Sequence, residues 1–88
     1  MTLLERAAAL EQNGTNDHVK HIGKQIKGWV QDVTAASMTK SEMRSRIDSG
    51  DIGGYRDGHI IASILNVGDD EKSQLESLIN DAKIFAAE

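Results

Sequence analysis

The chain has 88 residues, 39% of them hydrophobic and 27% charged, with no proline, no cysteine, one Trp, one Tyr and one Phe, and a formal net charge of −4. That length fits one domain, 1–88, with a single small aliphatic core; folding is expected to bury about 63% of the surface of a chain this size. Without cysteine there is no disulfide, thiolate zinc site, iron–sulfur cluster or cysteine nucleophile, and without proline a loop-rich or β-sandwich fold is disfavoured.

The elements follow in chain order. Thr2-Leu-Leu-Glu5 has capping-box spacing and opens a first helix with Leu3, Leu4, Ala7, Ala8 and Leu10 along one side. Asn13-Gly14 ends it, glycine being the residue that adopts the left-handed conformation at a helix C-terminus. Nothing in Met1 to Arg6 resembles a signal peptide or a membrane anchor, which predicts a cytoplasmic protein with no membrane partner.

Thr15-Asn16-Asp17 caps a second helix, predicted over 17–36. Val19, Ile22, Ile26, Trp29, Val33 and Ala36 recur on it at spacings of three and four. Such a seam serves either as core or as a self-association face, and Trp29 either packs in the core or anchors an interface. Lys20, Lys24, Lys27 and Gln31 form a second line opposite the seam. Gly23 and Gly28 each cost about 1 kcal/mol against alanine in a helix interior, so either a neighbour approaches closely there or the helix bends. The pattern does not choose between the two.

Thr39-Lys-Ser-Glu42 repeats the capping-box spacing and opens a short helix with Met43 and Ile47 inward and Lys40, Arg44 and Arg46 outward, closed by Gly50. Residues 50–58 carry four glycines and read as a loop. The apolar block Ile60, Ile61, Ile64, Leu65 and Val67 suits a buried helix or a strand, with helix favoured by its surroundings. Gly68-Asp69-Asp70-Glu71 starts the last helix, over 70–86, with Leu75, Leu78, Ile79, Ala82, Phe85 and Ala86 inward. The prediction is an all-α bundle of four to five helices in which the helices over 17–36 and 70–86 are the long packing partners.

Charge is segregated along the chain. Residues 18–46 carry six Lys and Arg against two acids, whereas 47–88 carry three against nine. The basic stretch reads as a phosphate-contacting face or as an ordinary solvated face beside an acidic helix. A helix-turn-helix from 40–49 and 58–67 fits poorly, because its connection is too long and its second helix offers mostly Ile and Leu to base edges. Neither a P-loop nor an EF-hand pattern is present in the glycine loop. His18 and His21 beside Asp17, with His59 elsewhere, lack the spacing of a zinc set and read as surface groups. Asp51, Tyr55, Arg56, Asp57 and His59 read as polar turn residues. Asp48-Ser49 shares two residues with the Asp-Ser-Leu attachment site of acyl carrier proteins, but Ser49 precedes Gly50 at a helix end and no leucine follows, so that function does not carry over.

These residues predict a protein that is not an enzyme and that takes no metal and no cofactor. The leading expectation is a small helical regulator, inhibitor or adaptor that binds another protein, of the kind a virus or mobile element uses to block a host machine. The alternative is a nucleic-acid-binding transcriptional regulator working through 18–46, as a homodimer. The predicted partner-binding residues are Lys20, Lys24, Lys27, Trp29, Lys40, Arg44, Arg46, Tyr55 and Arg56.

Overall fold

The computed structural model describes residues 2–49 and 67–88. Tyr55, Arg56, the glycine loop and the 60–66 block lie outside the described residues. The described residues form four helices and no strand, an all-α bundle: α1 (Leu3–Asn13), α2 (Asp17–Thr34), α3 (Lys40–Asp48) and α4 (Asp69–Ala87).

Each start has a local cause. Thr2 and Glu5 make the reciprocal capping box, with the Glu5 amide donating to Thr2 Oγ1 and the Thr2 amide to Glu5 Oε1, both at 3.1 Å. Those hydrogen bonds, backbone first, hold the Glu5 carboxyl below the usual glutamate range. A lowered folded-state pKa stabilises α1 above the ordinary range and loses that contribution as pH falls through the lowered value. Asn16 Oδ1 accepts from the Val19 amide at 2.9 Å to start α2, and Thr39 Oγ1 accepts from the Glu42 amide at 3.0 Å to start α3. Met38 and Met43, at the positions flanking that cap, are both buried, as a hydrophobic staple requires. At the start of α4 the N-cap is Gly68 without a side-chain hydrogen bond, and Asp69, Asp70 and Glu71 place negative charge against the helix dipole instead.

The helix ends depart from the sequence pattern in two places. Gly14 has φ −59° and ψ 144°, an extended rather than left-handed conformation. What it supplies is space: a Cβ there would lie 2.9 Å from both the Leu10 carbonyl oxygen and Val19 Cγ1. The second helix stops at Thr34 rather than 36, because Ala36 itself turns left-handed, with φ 60°. The Ala36 amide then donates to the Val33 carbonyl and the Ser37 amide to that of Asp32, a Schellman closure with alanine where glycine is usual. Exposed Ala36 therefore belongs to the cap and not to the seam. The left-handed region costs a non-glycine residue about 1–2 kcal/mol. Ala36→Gly is expected to raise the thermal unfolding midpoint by about 4–8 °C, read by circular dichroism.

The core joins Ala7 and Leu10 of α1, Val19, Ile22, Ile26, Trp29 and Val30 of α2, Met38, Met43 and Ile47, and Leu75, Leu78, Ile79, Ala82 and Ala86 of α4, with Leu3, Leu4, Val33, Val67 and Phe85 packed against it. The seam of α2 is core. Val30, outside the three-and-four pattern, widens that buried stripe, and Gly23 joins it.

Among the described residues the closest pairings are α1 with α2 and α3 with α4, whereas α2 and α4 touch little. The two long helices are thus not the principal packing pair. Gly23 is the reason α1 takes that place. A Cβ on it would lie 2.6 Å from the Glu11 amide nitrogen and 2.8 Å from the Ala7 carbonyl oxygen, so the backbone of α1 crosses where the side chain would be. Gly28 is the opposite case, since a Cβ there would meet no atom of the described residues within 4 Å. Gly28→Ala therefore gains helix propensity without a clash among the described residues and is expected to raise the unfolding midpoint by about 4–8 °C.

Candidate functional site

On an α-helix of 3.6 residues per turn, Lys24 stands opposite the buried stripe of α2, with Lys20 and Gly28 about 40° to either side. Lys20 and Lys24 are exposed, as are the neighbouring His18, His21 and Gln31. Neither lysine has an ion pair among the described residues. This face, one turn of lysines followed by a glycine that no described atom covers, is the candidate site.

The other predicted residues are placed differently. Lys27 turns toward α1 and pairs with Glu11, Nζ to Oε1 2.5 Å, both side chains half-buried. It ties the α1–α2 crossing rather than facing a partner. Trp29 is 6% exposed and sits in the core, so it anchors the fold and presents no surface. Lys40 lies with its Nζ 5.0 Å from the centre of the Phe85 ring and 4.0 Å from Glu88 Oε2, a tie between α3 and the end of α4. Arg44 is 3.8 Å from Asp48 across one turn of α3, and Arg46 is exposed without an ion pair among the described residues. Of the six basic side chains in 18–46, three are engaged within the fold. The exposed Lys and Arg of 18–46 without an ion pair among the described residues are Lys20 and Lys24 on α2 and Arg46 on α3, while Arg44 keeps an exposed pair along its own helix.

Ser49 is the C-cap of α3, its amide donating to Ser45 and its hydroxyl to the Arg46 carbonyl oxygen at 3.2 Å. It closes a helix instead of opening one. His18 and His21 are exposed, and among the described residues no group of three His, Asp or Glu is placed to hold a metal ion. No helix of the described residues is long and apolar enough to cross a membrane.

An open groove of about 830 Å³ between α1 and α4, floored by Ala9, Leu10 and Leu78, was not legible in the sequence. Two of its charged groups, Arg6 and Glu71, are engaged in contacts within the fold. Arg6 pairs with Asp81 and donates to Ser77 Oγ at 2.9 Å, while Glu71 Oε1 accepts from the Thr15 amide at 3.0 Å. These contacts stitch α1 and the start of α2 to α4, which the wide spacing of those residues in sequence hid.

Comparison of the chain with protein-family models, with curated proteins and with solved structures finds no match to any of them.

Proposed function

We propose that the protein is a non-enzymatic binding module, a regulator, inhibitor or adaptor that engages an acidic surface of another protein through the outer face of α2. The observation that carries this reading is the pair Lys20 and Lys24, one turn apart, exposed, and unpaired among the described residues, in a fold that engages Lys27, Lys40, Arg44 and Arg6 internally. A small cationic patch on a rigid helix steers and registers a partner of opposite charge. The same patch favours a protein over a nucleic acid. Two or three cations neutralise two or three phosphates, a salt slope of about −2 to −3 in log K against log salt, below the six to ten contacts typical of duplex binders.

The test is capture from the native cell lysate on immobilised protein, wild type against K20E/K24E. One stoichiometric protein is expected on the wild type. Its retention should fall when salt is raised from about 0.1 M to about 1 M, where the screening length drops from about 10 Å to about 3 Å, and it should be lost with the double variant. Equal capture by both chains contradicts the proposal. Steeply salt-dependent binding of duplex DNA or RNA at micromolar protein supports the nucleic-acid reading in its place.

A further inference from the structure

Resting on the reading of the outer face of α2 as the partner surface, we infer that the partner presents an acidic helix, and that this helix crosses α2 at Gly28. The fold already contains the device. On one side of α2, Gly23 removes a side chain so that the backbone of α1 can cross within van der Waals reach, and Glu11 of that crossing helix pairs with Lys27 one turn further along α2. A glycine for the close approach and a lysine for an acid on the incoming helix together define the α1–α2 crossing.

The outer side of α2 repeats the construction without an occupant among the described residues. Lys20, Lys24, Gly28 and Asp32 form one row at spacings of four, the ridge along which helices interdigitate, and Gly28 is a gap in that ridge. Lys24 lies one turn before the gap, as Lys27 lies one turn beyond Gly23. A Cβ at Gly28 would meet no described atom within 4 Å, so the packing described gains nothing from the missing side chain, although a glycine at mid-helix weakens the helix. Charge fixes the kind of occupant. Lys20 and Lys24 call for glutamates or aspartates on the crossing helix, with small residues facing the gap.

The experiment uses the full ¹⁵N-labelled chain titrated with up to about 1 mM of a synthetic alanine-rich helical peptide bearing glutamate at every fourth position, a range that reads millimolar dissociation constants. Amide shifts are expected at Lys20, Lys24, Gly28 and Gln31, with no such shifts from the same peptide carrying lysine in place of glutamate. K20E/K24E and Gly28→Leu are each expected to weaken binding about tenfold or more. Gly28→Leu should melt above the parent, which separates lost binding from lost folding. If Gly28→Leu binds as well as the parent while K20E/K24E does not, the crossing at Gly28 is overturned and the acidic-partner reading stands. Absence of shifts on this face overturns the inference, and binding that neither variant weakens overturns that reading too. Shifts at the same amides on concentrating the chain without peptide assign the face to a second copy, and overturn it as well.

Discussion

A Trp29→Ala chain should unfold about 3–5 kcal/mol more easily than the parent, a loss comparable to much of the stability of a domain this size. The indole is 6% exposed on α2, within the core that joins the four described helices, so its removal leaves a cavity that rigid neighbours fill only in part. Equilibrium urea denaturation, followed by far-ultraviolet circular dichroism since the only indole is gone, measures the loss. It also separates the two roles that a tryptophan on a regular seam suggests. As a core residue it gives a loss independent of protein concentration, and the milder Trp29→Phe recovers part of it. Were it an interface anchor, the variant would keep its monomer stability and lose association instead.

Gly23→Ala has the second largest effect, and its sign is opposite to helix propensity. One methyl group gains up to about 1 kcal/mol in a helix interior. Here it would sit 2.6 Å and 2.8 Å from two backbone atoms of α1, neither of which can swing away as a side chain tip would. Overpacking costs about 1–3 kcal/mol and more where backbone must shift. The expected net is about 2 kcal/mol of lost stability and a drop in the unfolding midpoint on the order of 10 °C. Separating α1 from α2 also strains the Lys27–Glu11 pair and the Arg6 contacts to Asp81 and Ser77. An unchanged or raised midpoint would show that α1 does not cross at Gly23.

The contrast between the glycines of α2 marks the limit of what composition and spacing convey. Both interrupt the same helix at the same intrinsic cost, and only the position of α1 tells them apart. Caps were legible because they are local chemistry: Thr2, Asn16 and Thr39 each satisfy an amide three residues ahead. The buried faces of α2, α3 and α4 were legible because burial follows helical period, with Leu75, Leu78, Ile79, Ala82 and Ala86 inward as spaced. The end of α2 was not, because alanine is the strongest helix former and gives no sign of a left-handed turn at Ala36. Nor was the fate of the basic residues. Lys27 and Lys40 belong to the same charged segment as Lys20 and Lys24, yet Glu11 lies 16 positions and Glu88 48 positions away in sequence, and only the fold brings them together. Of the nine predicted partner residues, Lys20, Lys24 and Arg46 are exposed without an ion pair among the described residues, Lys27, Lys40 and the exposed Arg44 are ion-paired, Trp29 is buried, and Tyr55 and Arg56 lie outside the described residues.

Everything proposed for the outer face of α2 requires that the face be open, and the thermal unfolding midpoint of Gly28→Leu tests that most directly. Leucine is a good helix former and is large enough to collide with any segment of the chain that covers the position. With the face open, the midpoint is expected to rise by several degrees above the parent. A midpoint that falls would mean that the protein's own packing occupies the gap, and that Lys20, Lys24 and Gly28 do not form a free surface for a partner.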